Sequence, residues 1–337
     1  MTTITTIAKK LGISPATVSR ALNAHTQHKV NQETLQRIQK LAQRYHYVPN
    51  ISARNLVKQK SNIIGVVIPY SHSIFCSEYY MQLLSGVADG MSQTHYNFNL
   101  HLAPPHGQEK LIEFLRTKGI TGMILSHWTF FCHSIKEIEK IEVPILGVNE
   151  CAPSQKISFL TCDNFQGAQT AVEYLFKKGH RRIGMILGPE DSVDNRERFR
   201  GYQSALKEKG MEYRKEFVLG AGSFEREAGY RAMRDQLNKN REATAYFCAN
   251  DEITIGALKA IKEKGLRCPW DISIIGFDAL KIGEYVDPPI TSVEQAIYEI
   301  GKEGVRVLIE IIERRVKAPL VRQIPCRLVE RSSVAEK

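Results

Sequence analysis

The sequence predicts an α/β protein in which a small basic three-helix head precedes a two-lobed core of parallel sheets. Charge gives the first indication. Residues 1–60 hold ten Lys or Arg against one acid, Glu33, so +9 of the formal +10 lies in the first sixth of the 337 residues. The second is an alternation, from Ser61 onward, of short apolar runs with helical stretches. This is the mark of parallel strands joined by helical crossovers and covered on both faces. Third, the alternation restarts at "ISFLTCD". Two similar lobes follow, as expected of a chain too long for a single comfortable core.

Composition narrows the class. With 43% hydrophobic and 24% charged residues and no low-complexity tract, the chain is an ordinary globular one. No apolar run approaches the ~20 residues that span a bilayer, so no membrane partner is expected. "MTTITTIAKK" lacks an apolar signal core, which predicts a cytoplasmic location. The seven cysteines (Cys76, Cys132, Cys151, Cys162, Cys248, Cys268, Cys326) are scattered singly, with no pair at metal-ligand spacing. Reduced, mostly buried thiols and no metal site are expected.

The basic segment reads as three short helices. Ile4, Ile7, Ala8 and Leu11 recur at helical spacing, with Thr3 as cap and Gly12 as stop. Ser14 caps the second helix and Pro15 takes its first position, where the missing N–H costs nothing. Val18, Ala21 and Leu22 face inward. Asn31 caps the third, in which Leu35, Ile38, Leu41, Ala42 and Tyr45 complete a small core. Helix, tight turn, helix is the helix-turn-helix arrangement, whose second helix enters the DNA major groove. Thr17, Ser19, Arg20 and Asn23 are then displayed rather than buried. They are short donors and acceptors and a guanidinium, suited to phosphates and base edges. The basic residues are interleaved with apolar positions, which fits a phosphate-facing surface better than a solvated charge run.

"TTIAKKLGISPATVSRALN" and "VNQETLQRIQKLAQRYHYVPNISARNL" resemble the N-terminus of bacterial repressors of the lac repressor/galactose repressor family. The likeness runs through Thr17-Val18-Ser19-Arg20, Asn23, Glu33-Thr34, Tyr47-Val48-Pro49-Asn50 and Ala53-Arg54-x-Leu56. It implies a DNA-contacting set of Thr5, Ser14, Pro15, Ala16, Thr17, Ser19, Arg20, Asn23, Asn50, Ala53, Arg54 and Leu56. Residues 51–60, a linker by composition, match the family's hinge helix, whose leucine (Leu56 here) wedges into the minor groove at the operator centre. An apolar wedge beside Arg54 and Asn55 can unstack a base step and kink the duplex at a cost of roughly a few kcal/mol. The plainer alternative is that Leu56 packs on the domain that follows.

"IIGVVIP" (63–69) opens the core as a buried strand. A helix through "EYYMQLLSGVADGMSQ", the strand "FNLHLAP", a helix 109–118, the strand "ITGMILS", a helix around 134–141 and the strand "VPILGVN" follow. The second round runs from "ISFLTCD" through the helix 164–178, "RRIGMIL", the helix 195–209, a strand near Phe217 and the helix 225–238. It ends with "TAYFCA", the helix 252–264 and "ISIIGFD". "ITSVEQ", the long helix 295–314 and "LVRQIPCRLVER" are too few for a third domain, so they are expected to cross back and complete both lobes. The expected division is a DNA-binding head at 1–50, a hinge at 51–60 and a core at 61–337, which the resemblance implies is periplasmic-binding-protein-like. Lobe 1 takes about 61–160 and 294–320, lobe 2 about 161–293 and 321–337.

Open α/β sheets bind ligands beyond the carboxyl ends of their strands. Those ends carry Ser126, His127 and Trp128, then Asn149, then Arg196 and Arg198 after "RRIGMILGP", then Asn250, Asp251, Asp278 and Gln295. With Phe224 as a ring to stack on, they suit a polyhydroxylated ligand. Bidentate groups bracket vicinal hydroxyls while an aromatic covers the apolar ring face. The resemblance puts effector contacts on Arg198, Asn250, Asp278, Phe224 and Gln295, with Asn149, Ser126 and the loop 70–75, Phe75 included, as further candidates. The chain departs from the family pattern at Ala279, where a second aspartate after "GFD" is common. Asp251 reads better as a helix cap than as a ligand group, and Arg198 could be a surface arginine. Asp278, ending an apolar strand, needs a partner.

Two other classes fit less well. An exported sugar-binding protein would share the lobes but requires a signal peptide and no basic head. An enzyme requires a catalytic motif, and G-x-G-x-x-G ("GAGSFE" ends in Glu225), G-x-S-x-G, H-E-x-x-H and the P-loop are all missing. No cofactor is implied. The expectation is a ligand-responsive transcription regulator and repressor. It acts as a homodimer on a pseudo-palindromic double-stranded DNA operator, controlled by a small-molecule effector, a sugar or sugar derivative.

Overall fold

The computed structural model describes residues 3–22, 26–45, 47, 62–70, 74–103, 119–127, 135–151, 154, 156–239 and 242–337. They fall into two units, Met1–Ser61 and Asn62–Lys337. In the first, α1 (Ile4–Leu11) begins where the Thr3 hydroxyl accepts the Thr6 N–H. It ends at Gly12, whose φ of 65° is the left-handed turn that glycine adopts without penalty. α2 (Pro15–Ala21) starts with Ser14 accepting from Thr17 N, and α3 (Gln32–Arg44) with Asn31 accepting from Thr34 N. Ile7, Val18 and Ile38, fully buried, meet with Ala8, Ala21 and Ala42 at the centre of the three helices. Each large side chain so buried contributes about 1.5–3 kcal/mol. Tyr45, expected in this core, instead lies under Lys10, whose ammonium sits 4.2 Å from the ring centroid. Tyr47 packs on the cluster in its place.

The second unit holds two six-stranded sheets. The first consists of β1 (Ile63–Pro69), β2 (Asn97–Ala103), β3 (Gly122–Ser126), β4 (Ile145–Val148), β5 (Ser158–Cys162) and β11 (Val321–Ile324), in the order β11-β5-β4-β3-β1-β2. β6 (Ile183–Leu187), β7 (Val218–Gly220), β8 (Ala245–Cys248), β9 (Ser273–Asp278), β10 (Thr291–Glu294) and β12 (Arg327–Val329) form the second, in the order β12-β10-β9-β8-β6-β7. All pairings are parallel except β10 with β12. The inner strands β3, β4, β5, β8 and β9 are buried at every residue, as parallel strands covered on both faces must be.

Among the described residues seven helices cover the sheets: α4 (Glu78–Ser92), α5 (Ile135–Ile138), α6 (Asn164–Lys177), α7 (Val193–Glu208), α8 (Arg226–Lys239), α9 (Asp251–Glu263) and α10 (Ile297–Ile312). α4 packs on α10 so closely that a Cβ on Gly86 would stand 2.0 Å from the Tyr298 carbonyl oxygen. The chain passes between the sheets three times, after β5, after β10 and between β11 and β12. The last passage corrects the expected division. Residues 321–324 pair with β5 in the first sheet, Val321 beside Phe159, and only from Arg327 does the chain join the second. α5 ends at Ile138, short of the expected 141. The expected helix 109–118 and the hinge 51–60 lie outside the described residues.

Candidate functional site

On the head, Ala16, Ser19 and Arg20 of α2 are exposed and share one face at i, i+3 and i+4, with Thr5, Ser14 and Pro15 exposed nearby in sequence. Thr17 is half-buried, and its hydroxyl meets that of Ser14 at 2.9 Å. Ser14 therefore holds the start of α2 as well as facing solvent. Asn23, Asn50, Ala53, Arg54 and Leu56 lie outside the described residues.

In the larger unit the carboxyl ends of both sheets face a cavity of ≈ 660 Å³. Arg198, Phe224, Asn250, Asp278 and Gln295, all expected contacts, line it. Arg198 is not a surface arginine, being only 3% exposed. Its Nε donates to Asn164 Oδ1 (2.7 Å), its Nη1 to the Ala249 carbonyl (2.5 Å), and its Cζ lies 3.8 Å from the centre of the Phe277 ring. Only Nη2 is left toward Asp194, at 3.9 Å, beyond hydrogen-bond reach. Asp278 has its partner in Gln295, whose Nε2 donates to Oδ1. Burial pushes the Asp278 carboxyl up to about 7, against the opposing pull of Arg198 and Gln295. Burial, and then Glu150, also hold Asp194 well above the usual carboxylate range.

Asn250 rather than Asp251 caps α9, its Oδ1 accepting from Ile253 N, while its Nδ2 donates to the Phe224 carbonyl. Asp251 is fully buried and locks the segment after β9. It accepts from Ser292 Oγ (2.6 Å) and from Leu280 N (2.7 Å).

Three expected contacts stand away from the cavity lining. Ser126 is buried and meets His127 Nδ1 at 2.9 Å, so it orients the histidine that does line the cavity. Asn149 sits behind Tyr79 and donates to its hydroxyl. Phe75 is 60% exposed and does not line the cavity. Tyr79 and Tyr80 of α4, Glu150 after β4, and Ser192 and Asp194 at the start of α7 take part instead. Two hydrogen-bonded bridges close the cleft. Ser192 Oγ donates to Glu150 Oε1 at 3.0 Å, and Glu78 accepts the N–H groups of Lys281 (2.6 Å) and Ile282 (3.0 Å).

The backbone is specialised here too. Among the described residues six non-glycines have positive φ; His127, Asn149, Asp278, Ala279 and Ala296 end or follow strands that reach the cleft, and the sixth is Arg314. Such conformations cost of order 1–3 kcal/mol each and persist where the surroundings enforce them. Ala279, which departs from the family pattern, is one of them, held by its N–H to Ser292 Oγ (3.1 Å).

Residues 3–50 match the family described as bacterial regulatory proteins, lacI family, and residues 172–334 match the periplasmic binding protein-like domain. The HTH-type transcriptional repressor CytR of Escherichia coli K12 is 34% identical over 334 residues, covering 98% of this chain and 96% of the relative. The chain belongs to the lacI family of bacterial regulatory proteins. Its relatives are transcription regulators, not enzymes. A solved structure of the transcriptional regulator CelR in complex with cellobiose is 28% identical at a TM-score of 0.76, covering 99% of this chain and all of that one. The lac repressor dimer bound to operator, 22% identical over 99% of both chains at a TM-score of 0.84, shows the same fold.

For a lacI-family protein the residues missed by sequence have understandable positions. Tyr79 and Tyr80 open an amphipathic helix and read there as core. Glu150 and Ser192 were within reach, since one follows a strand end and the other caps the helix that carries Arg198. Among the described residues no cluster of His, Cys, Asp and Glu could hold a metal ion, and no helix is long and apolar enough to cross a membrane. Thiol burial is lower than expected. Of the described cysteines only Cys162 and Cys248 are buried, Cys76 is exposed and the rest are half-buried, all free.

Proposed function

We propose that this lacI-family regulator is a cytoplasmic repressor that binds a pseudo-palindromic operator as a homodimer and is controlled by a polyhydroxylated effector, a sugar or derivative. The observation that carries the effector half is the pre-arranged guanidinium, carboxylate and amide of Arg198, Asp278 and Gln295 at one wall of the interlobe cavity. The structure of a relative in complex with cellobiose supports a carbohydrate in that cleft. The DNA half rests on the +9 segment and the exposed face of α2. In this reading residues 1–50 form the reading head, 51–60 the hinge with Leu56 as its minor-groove wedge, and 61–337 the effector-binding and dimerising core.

An effector acts only through its differential affinity for the DNA-competent state. The bridges Glu78–Lys281/Ile282 and Ser192–Glu150 give the closed cleft its own contacts, so closure is the coordinate a ligand can bias. The test is operator binding by fluorescence anisotropy across salt. Counterion release at several phosphates should weaken binding steeply between low and physiological salt, and a flat profile removes the DNA reading. Leu56→Ala should reduce bending in circular-permutation assays while leaving non-specific binding near normal. An unchanged bend removes the wedge.

A further inference from the structure

The cavity wall is unbalanced in charge. Among the described residues that line it are six carboxylates and two guanidinia. Both guanidinia face carboxylates within that wall: Arg226 Nη2 bonds Glu252 Oε1 at 3.0 Å, and Arg198 stands beside Asp194 and Asp278. An anionic ligand entering here would meet Glu150, Asp194 and Asp278, all buried, where repulsion is weakly screened, whereas Glu225 and Glu227 are exposed.

Two of the six carboxylates form a buried pair. Glu150 and Asp194, both buried, interact with each other across the cleft, and Ser192 bridges them by bonding Glu150 while capping the helix whose first turn holds Asp194. Tyr80 and His127 stand on the same side, their rings 5.3 Å apart, with His127 Nδ1 turned toward the Tyr80 hydroxyl and Ser126. Carboxylates backed by aromatic rings form a seat for a group that donates hydrogen bonds and carries or shares positive charge.

We propose that the effector is a polyol carrying an amino group, seated by Glu150 and Asp194 against the rings of Tyr80 and His127, and that anionic polyols are refused. This inference rests on the effector cleft assigned above and narrows its ligand class. The raised Asp194 carboxyl agrees with it: burial, and then Glu150, oppose a second negative charge there.

The full-length protein decides the matter in thermal-shift and calorimetric titrations with two matched sets. One is glucosamine, glucose and glucuronate; the other is 5′-amino-5′-deoxyadenosine, adenosine and adenosine monophosphate. In at least one set the amine should bind at least tenfold more tightly than its neutral counterpart, and the anion should not bind measurably. Which set responds tells an amino sugar from an amino-nucleoside. Glu150→Gln, with its fold checked by circular dichroism, should shrink the amine-to-neutral ratio to about threefold or less. A neutral or anionic member that binds as tightly as its amine overturns the proposal, and so does silence from both amines. The effector cleft itself is tested separately: it fails if Arg198→Ala still releases or binds operator normally in response to a protein-free metabolite extract.

Discussion

The exposed face of α2 and the wall of the interlobe cavity are both polar, yet they are built in opposite ways. On α2, Ser19 and Arg20 stand in solvent on a helix held by local caps and three fully buried side chains. In the cleft, Arg198 and Asp278 are buried, engaged by neighbours before any ligand arrives, and framed by strained backbone. A surface that must slide along phosphates benefits from freely moving side chains. A cavity that selects one small molecule gains affinity by having its groups already fixed. Substitutions should therefore cost stability in the cleft and binding alone on the head.

The largest expected effect is at Arg198. Arg198→Ala leaves Asp194 and Asp278 buried without their cation, a loss of about 3–5 kcal/mol, and should lower the core's Tm by roughly 6–20 °C in a thermal melt. It should also weaken effector binding by roughly ten- to a hundredfold or more. A variant as stable as the wild type would erase the contrast between the two regions.

Asp278 sharpens the contrast through pH. Its carboxyl is raised to about 7 in the folded chain by burial, so the folded state favours its protonated form. That contribution is complete below about pH 4 and is lost as pH rises through 7. Between pH 5 and 8 the ligand-free wild type should lose stability relative to Asp278→Asn in urea melts. Parallel curves for the two proteins would show that Asp278 titrates normally.

The smallest structural effect belongs to the head. Arg20→Ala should change stability by no more than about 0.5 kcal/mol. Operator affinity should nevertheless fall by about 1–3 kcal/mol if the guanidinium reads a base. If it meets a phosphate, the salt slope should drop by about one instead. Unchanged affinity and slope together would take Arg20 out of the interface.

The same contrast governs what sequence could disclose. Thr3, Gly12, Ser14, Pro15 and Asn31 act on neighbours within a turn or two, so the head's three helices were legible almost to the residue. The core's strands were legible as apolar runs, and Arg198, Phe224, Asn250, Asp278 and Gln295 come to line one cavity because strand ends converge. Partnership across the cleft was not legible. Nothing local to Tyr79, Glu150 or Asp194 announces the residues they face, and nothing in "LVRQIP" says which sheet edge it joins. Phe75 and Asn149 stand off the cavity lining for the same reason, since proximity to a strand end does not fix where a side chain points.

The two returning strands also bear on how the protein is made. β5 ends at Cys162, but its edge partner β11 begins only at Val321, and the second sheet waits until Arg327–Val329 for β12. At about 5–20 residues per second, a ribosome leaves the first sheet without its last strand for roughly ten to thirty seconds after β5 emerges. During that interval a parallel strand edge stands open while the head, stabilised by local contacts, is free to fold. Nascent chains of this protein should therefore need shielding at the β5 edge late in translation. Chains stalled before residue 321 should be more prone to aggregate than those released after residue 329.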